Sequence, residues 1–498
     1  MAAGSVAVAA AVLSLAIGSS PVPHSGALRG GERPNVIVVM VDDQSLKTFD
    51  PEIMPKTFGL INGGEGRILE GYASPPLCCP SRAGFLTGQY PHNHGVVRNN
   101  WKLLRQPDNT LAAWLQADGY KTGFAGKYLN EYRPAPEPAG GYDSWFQLIG
   151  KRPGYFDYVA SLQGKQKEYG SKREDYSTTV VTRKAQGFIR QSARQPFFLW
   201  TSYYAPHTRR SKHPRCGVNS PQPLAKDWHR FRDAPVRLPP SFDERNVSDK
   251  PSRIRNLDRL GHAYAEAAKD DIRCASAAMQ EVDRGVGDIR STLRKRKIDD
   301  DTIIFYISDN GLMFGEHRIA GKSLPYFEAA RVPLLAHVPR KILDGESMSA
   351  ISEPVANIDL APTILELTGA EPCTASGSCR VMDGRSIAGL MRGDESDWPD
   401  PRPIGMELGF IGCGNYRGAY QGSEVYVEYL RRVRGDCKVS DAELYDLASD
   451  PFQLRNRLFR PTADAIDDGE RLSEVAQRLS TCSGIEGRDP PRPGRPFC

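Results

Sequence analysis

Two hydrophobic patterns alternate along the chain, and their alternation predicts the fold class. Asn35–Val41 is a continuous apolar, β-branched run, and Phe197–Tyr204 and Asp301–Ser308 repeat that character. Such runs mark strands buried on both faces. Tyr120–Ala125, ending at Gly126-Lys127, and Arg331–Val338 read as further strands. Between them, Leu111–Asp118, Val180–Gln191 and Ile358–Gly369 read as helices. The clearest helix carries Ile272, Ala275, Met279, Val282, Val286, Ile289 and Leu293 at alternating steps of three and four, an apolar face suited to a sheet. Strands alternating with helices predict an α/β fold with a large, doubly wound, mainly parallel sheet. Sites in such sheets form at the C-terminal strand ends.

Other stretches break this rhythm. Ala139-Gly140-Gly141 reads as a turn before Tyr142 and Trp145. From Arg209 to Asp258 the chain is polar and proline-rich, which predicts a long surface excursion of the kind that builds substrate pockets. It holds the sequon Asn246-Val247-Ser248, relevant only if the host glycosylates. Arg392–Pro403 is rich in Asp and Pro and reads as a linker. Beyond it, short strand-like runs at Ala419–Gln421 and Val425–Leu430, and a helix at Arg471–Leu479, predict a smaller C-terminal antiparallel α+β domain. The expected division is residues 33–392 for the large domain and 403–498 for the small one.

Composition changes this picture little. A chain of 498 residues with a formal net charge of +5 is ordinary for a soluble globular protein. No dense Lys/Arg block with interleaved aromatics appears, which argues against a nucleic-acid partner. The apolar run Val6–Ile17 is too short to span a bilayer. Followed by Gly18-Ser19-Ser20, it reads as a secretory signal peptide over residues 1–20, although no basic residue precedes it. No later segment reads as transmembrane. Apart from Cys78 and Cys79, the cysteines form an even set, which favours export to an extracellular, periplasmic or lysosomal-type compartment. Proximity suggests Cys373–Cys379, Cys413–Cys437 and Cys482–Cys498, leaving Cys216 with Cys274, although connectivity is not deducible from sequence.

Chemistry concentrates in a few places. Cys78 is followed by Cys79, Pro80, Ser81 and Arg82. A thiol near an arginine and a helix N-terminus is expected to titrate below the free value of about 8.5, so Cys78 is a candidate nucleophile or modification site. Three predicted strands end in polar residues: Asp42-Asp43, His207 and Asp309-Asn310. Singly, each is explained by a cap, a turn or a loop. Together at one sheet edge, three carboxylates and an amide oxygen make a hard, all-oxygen site suited to Ca²⁺ or Mg²⁺ rather than zinc.

Cys78-x-Pro80-Ser81-Arg82 followed by Leu86-Thr87-Gly88 resembles the signature of the sulfatase family. The resemblance implies an alkaline-phosphatase-like fold and a formylglycine made from Cys78 by a formylglycine-generating enzyme. It implies Asp42, Asp43, Asp309 and Asn310, with an oxygen at position 78, as ligands of Ca²⁺, with Mg²⁺ as the alternative. Arg82 would hold the formylglycine hydrate, Lys127 matches the family's Gly-Lys, and His207 its histidine after the central strand. Lys322 matches the lysine of a Lys-x-x-Pro-Tyr segment ending here at Tyr326, and Glu443–Asn456 resembles the family's closing segment. Attack on sulfur by the hydrate, activated by the metal and by Asp309, and protonation of the leaving alcohol by His207 or Lys322 follow as expectations. The match runs from Asn35 to Asn456.

One departure narrows the comparison. Many sulfatases carry a histidine two residues after the Gly-Lys lysine, where this chain has Leu129. Gly126–Tyr132, Cys78-Cys79 and Ala205-Pro206-His207 resemble N-acetylglucosamine-6-sulfatases and extracellular heparan endosulfatases. The implied function is hydrolysis of a sulfate monoester on a sulfated small molecule or glycan, N-acetylglucosamine 6-sulfate or an aryl sulfate being candidates. A phosphonate monoester or phosphodiester hydrolase is the rival within the superfamily, and a non-enzymatic sulfated-glycan binder the remote one. Cys79 is expected as a buried thiol, and Ser81 as a motif and hydrogen-bonding residue. His92, His94 and His317 either line the pocket or satisfy turns.

Overall fold

Every side chain of Asn35–Val41 is buried, and the strand lies inside a nine-stranded sheet, fourth from one edge. The computed structural model describes residues 1, 33–132, 138–150, 152–210, 216–217, 219–410 and 413–498; the expected signal peptide at 1–20 thus lies, beyond its first residue, outside the described residues. Asn35–Val41 pairs in parallel with Thr302–Ser308 on one side and Phe197–Ser202 on the other. The parallel set continues through Lys121–Gly126 to Ser144–Leu148. Because side chains alternate across a strand, Val36, Val38 and Met40 pack beneath helices Cys78–Thr87, Leu111–Ala117 and Leu360–Thr368. Ile37, Val39 and Val41 pack against Ser177–Ser192 and Gly261–Arg296 on the other face. Helices on both faces of a mainly parallel sheet bear out the doubly wound α/β expectation.

The edges differ from the expectation. Leu334–His337, anticipated within Arg331–Val338, runs antiparallel to Thr302–Ser308, and Gly66–Ile68 adds beyond it. At the other edge, Tyr158–Leu162 and Lys165–Tyr169 are antiparallel strands that the hydrophobic pattern does not reveal. The stretch from Arg209 is less of a surface excursion than expected. It contains the helix Ala225–Phe231, whose Trp228 is buried beside the Cys216–Cys274 disulfide that fastens this stretch to the long helix. That helix, Gly261–Arg296, runs well beyond the apolar stripe; Met279 to Leu293 pack on the sheet, while Ile272 packs against Phe314 outside it.

The small C-terminal domain is an antiparallel meander of Pro403–Phe410, Cys413–Gln421, Glu424–Val433 and Asp436–Asp446. The two predicted runs are therefore pieces of longer strands, and the terminal helix begins earlier, spanning Ala463–Leu479. Sheet and helix share one buried cluster with Tyr72, Tyr326 and Ala329 of the large domain. The Cys373–Cys379 and Cys482–Cys498 disulfides form as expected. The side chain of Cys413, in the remaining expected pair, lies outside the described residues. No helix among the described residues is long and apolar enough to cross a membrane.

Candidate active site

Strand register alone brings the chemistry together. Val41 lies opposite Ser308, and Ser202 lies opposite both Met40 and Gly126, so these strands end along one edge. The residues that follow are held there by backbone hydrogen bonds: Asp309 N–H donates to the Val41 carbonyl (3.0 Å), Asp42 N–H to Ala205 (3.2 Å) and Lys127 N–H to Ser202 (2.9 Å). Asp43 turns the chain with φ +66°, a left-handed conformation that Asp tolerates. Gly126 has φ +131°, and a Cβ there would lie 1.7 Å from the Ser202 carbonyl oxygen, so only glycine lets the strand turn into Lys127.

Cys78 opens the helix Cys78–Thr87, all of whose residues are buried. Leu77 precedes it in extended conformation, and Gly88, with φ +64°, stops it. Pro80 sits in the first turn, where a missing N–H forfeits no helical bond. Phe85 anchors the helix on Trp200 of the sheet, ring centroids 5.2 Å apart. The Cys78 Sγ consequently lies 3.5 Å from Asp42 Oδ1, 3.8 Å from Asp43 Oδ1 and 2.7 Å from Lys322 Nζ. Lys322 also pairs with Asp43, and Lys127 Nζ pairs with Asp42 Oδ2 at 2.5 Å. Arg82 donates through Nε to Asp309 Oδ2 (2.7 Å) and through Nη1 to the Lys127 carbonyl (2.6 Å) and Ser202 Oγ (2.7 Å). Ser323 N–H donates to the Pro76 carbonyl at 3.0 Å, which pins the Lys322 segment beside the entry to the cysteine helix.

Three carboxylates thus face three cations in an enclosed space. Burial alone would raise the Asp42 carboxyl, but Lys127, His207 and Arg82 outweigh it and hold it below the ordinary range. Asp43 is held low in the same way, chiefly by Lys322 and His207. Burial opposes the charged forms of Lys127, Lys322 and Arg82, yet the carboxylates raise all three. Cys78 corrects the expectation of an acidic thiol. Burial pushes it well above its ordinary value, and Lys127 and Lys322 only partly offset that. Burial likewise lowers His207, against the pull of Asp42 and Asp43. Its Nδ1 lies 2.6 Å from the Thr208 carbonyl, which can only accept, so Nδ1 carries the hydrogen and Nε2 points toward Asp43 Oδ2 at 3.5 Å.

Two carboxylates, a thiol and an imidazole lie close enough together to share a metal ion. Asp42, Asp43, Cys78 and His207 each offer a ligand atom within 4.8 Å of one another. Asn310 donates its amide nitrogen to Asp43 Oδ1 at 2.7 Å, while its Oδ1 is buried without a hydrogen-bond partner. A buried orphan carbonyl oxygen amid carboxylates is what an oxygen-loving ion satisfies. Asp309 keeps spare lone pairs beyond those used by Arg82 and by Asp43 N–H (3.1 Å).

The remaining histidines resolve toward structure. His92 bridges Glu407 Oε1 and the Cys482 carbonyl, both at 2.7 Å. His94 accepts from Val96 N–H at 3.0 Å, which satisfies its turn. His317 pairs with Glu244 (2.7 Å) and stacks on Tyr326 (4.2 Å). Ser81 accepts from Asn357 through its carbonyl and hydroxyl. Cys79 is buried, and burial pushes its thiol up to about 12. Two positioning groups escaped the sequence reading. Ser202 Oγ donates to the Lys127 carbonyl at 2.7 Å and accepts from Arg82; its place at a strand end is the signal that could have found it. Glu443 accepts hydrogen bonds from Tyr326, Tyr429 and Tyr445 at 2.7, 2.6 and 2.5 Å, and no local pattern announces that.

A family model described as Sulfatase matches residues 34–370, and one described as N-sulphoglucosamine sulphohydrolase, C-terminal, matches residues 315–478. The N-acetylglucosamine-6-sulfatase of Capra hircus is 30% identical, over 94% of this chain and 87% of that protein. The extracellular sulfatase SULF-1 homolog of Drosophila melanogaster is also 30% identical, over 74% of this chain, which spans about a third (32%) of that relative's length. Among solved structures, BT4656 in complex with its substrate D-glucosamine-2-N,6-O-disulfate superposes with a TM-score of 0.72 at 22% identity, over 90% of this chain and 98% of that one. That likeness bears on the fold.

Proposed function

The chain belongs to the sulfatase family, and from that premise we propose that it hydrolyses a sulfate monoester, with N-acetylglucosamine 6-sulfate as the candidate glycan substrate. The carrying observation is the placement of Cys78 Sγ among Asp42, Asp43 and Lys322 at the head of a buried helix. A neutral, enclosed thiol is a poor nucleophile, which supports conversion of Cys78 to formylglycine by a formylglycine-generating enzyme. Hydrated, that aldehyde supplies an oxygen nucleophile for sulfur and a route to release sulfate afterwards. A divalent cation, Ca²⁺ or Mg²⁺, held by Asp42, Asp43, Asp309 and Asn310 with position 78, supplies positive charge for the anionic ester.

The chain's own residues supply the rest. Arg82, fixed by Asp309 and Ser202, retains one buried nitrogen, Nη2, without a hydrogen-bond partner, and that nitrogen is the donor for an oxygen at position 78. Lys127 and Lys322 remain charged and neutralise sulfate oxygens that would otherwise repel the nucleophile, more so as charge develops in the transition state. Lys322 Nζ, which stays charged, is the group from which the departing alcohol takes a proton, while neutral His207, with its hydrogen on Nδ1, offers Nε2 as an acceptor beside it. Leu129, where many relatives carry histidine, is buried in the core (3% exposed), so leaving-group contact rests on those two. We assign this chemistry to residues 33–392 and the supporting meander to 403–498. Residues 1–20 act as the export signal, to which the disulfides are suited.

Turnover of an aryl sulfate, an aryl phosphonate and N-acetylglucosamine 6-sulfate, with the mass of the peptide carrying position 78, tests the reading. Sulfate release with an aldehyde at 78 is expected. Faster turnover of the phosphonate would assign the rival hydrolase. An unconverted Cys78 in active protein from its native host would overturn the aldehyde chemistry.

A further inference from the structure

Outside the reaction cluster, the loop at residues 240–249 and the segment at 446–465 enclose a groove of about 810 Å³. Its volume falls within the range of ligand-binding clefts, and none of the catalytic or metal-ligand candidates lines it. Its arginines are unevenly committed. Arg457 pairs with Glu424 (3.4 Å) and Asp468 (2.7 Å). Arg245, Arg455 and Arg460 are exposed, and their guanidinium groups have no carboxylate partner among the described residues.

The acidic residues of the wall are already used by the fold. Glu244 is held by His317 (2.7 Å) and Lys250 (3.4 Å). Asp249 accepts from Asn456 N–H at 2.7 Å, and Asp450 from the backbone N–H groups of Gln453 through its carbonyl and Arg455 through its carboxylate. The groove therefore offers three exposed guanidinium forks without an ion-pair partner among the described residues, on a frame whose carboxylates are held by other groups, Asp446 by the Ser423 (2.6 Å) and Ser449 (2.8 Å) hydroxyls. Phe459, 44% exposed in the same lining, adds an aromatic ring over which the Arg460 guanidinium lies, 5.6 Å from its centroid.

We propose that this groove binds a sulfated oligosaccharide, an anchoring site distinct from the reaction cluster. Planar guanidinium forks suit sulfate oxygens, which accept paired hydrogen bonds, and an exposed ring suits the C–H face of a sugar. The anion preference rests on the arginines; the choice of a sulfated glycan rests on the proposed sulfatase activity. Groove and reaction loop are mechanically joined, because Glu244 of the wall holds His317, whose ring stacks on Tyr326, in the same segment as Lys322. Asn246, first residue of the sequon, also lines the groove, so the test protein is made in a host that does not N-glycosylate.

The probe is a size-defined heparin oligosaccharide, with binding measured by calorimetry at two salt concentrations and without turnover. The triple variant R245Q/R455Q/R460Q is expected to raise Kd about tenfold, the sum of three exposed ion pairs, and to weaken the salt dependence. A control variant, R431Q/R432Q/R434Q, removes three exposed arginines from a hairpin outside the groove and is expected to leave Kd unchanged. No binding by the unaltered protein, an unchanged Kd in the groove variant, or an equal loss in both variants would overturn the proposal. Binding without hydrolysis of any sulfate ester would sink the sulfatase reading alone, and hydrolysis without binding would sink the groove alone.

Discussion

Arg82 Nε donates to Asp309 Oδ2 at 2.7 Å with both side chains fully enclosed, joining the cysteine helix to a strand end 227 residues later. Removing one member of such a pair leaves the other charge buried and uncompensated. Arg82→Ala is expected to cost roughly 3–5 kcal/mol of stability, read from the denaturant midpoint, and to abolish sulfate release. Arg82→Lys should recover little, because one ammonium cannot reproduce a fork that serves Asp309, Lys127 and Ser202 together. Near-normal turnover in the lysine variant would show that the geometry of the fork is immaterial.

Cys78→Ala should reduce turnover to background with only a small change in melting temperature, since the Lys322 ammonium 2.7 Å from Sγ keeps its pair with Asp43. Residual turnover on an aryl sulfate would remove position 78 from the chemistry.

Chelation should both inactivate and destabilise the protein. An ion that binds only the folded state stabilises in proportion to the logarithm of its concentration, by about 2.7 kcal/mol at a hundredfold excess over Kd. Without it, Asn310 Oδ1 returns to being a buried acceptor with no partner. Melting temperatures during readdition of Ca²⁺ and Mg²⁺ identify the preferred ion. An untouched melting temperature after exhaustive chelation contradicts the assigned ligand set.

His92 supplies a pH signature of the interface with the small domain. Burial opposes its charged form, but Glu407, and further contacts including the Cys482 carbonyl, raise its pKa from 6.5 to about 9. A group raised on folding stabilises fully below its unfolded value and loses that contribution as pH climbs through its folded one. The stability gap between the wild type and His92→Gln should therefore be largest below pH 6.5 and close above about pH 9. Its full size is roughly 2 kcal/mol after allowance for partial solvent access. A gap independent of pH would mean that His92 acts by packing alone.

At Gly126, the Cβ of an alanine would fall 1.7 Å from the Ser202 carbonyl, so Gly126→Ala must shift the strand end that carries Lys127. A displacement of about 1 Å in a charged contact costs on the order of a hundredfold in rate. Turnover should fall further than stability does; equal losses in the two would indicate simple unfolding.

Much of this arrangement is legible in the sequence, for physical reasons that also mark where legibility ends. Strands buried on both faces, such as Asn35–Val41 and Thr302–Ser308, must be continuously apolar, and the polar residue that ends each one marks the sheet edge. Lys165–Tyr169 at the sheet's margin, with all but its tyrosine exposed, carries no apolar pattern at all. The outer halves of Glu424–Val433 and Asp436–Asp446 project into solvent with Arg431, Arg432 and Lys438, so only the inner half of the first reads as a strand. Direction is equally silent, and Leu334–His337 reads the same whether parallel or antiparallel. The thiol of Cys78 misled because its neighbours in sequence advertise positive charge, whereas its state follows from enclosure by segments far away.

That enclosure also sets a clock. Cys78 is 1% exposed in the folded protein, so an enzyme converting it as proposed must reach it while the helix is still open. Closing the helix requires Asn35–Val41 to find Thr302–Ser308, and Arg82 to find Asp309, across most of the chain. Contacts so remote in sequence form slowly. The share of molecules that emerge competent is then decided by a race between conversion and closure. A chain that folded faster would be a poorer enzyme for it.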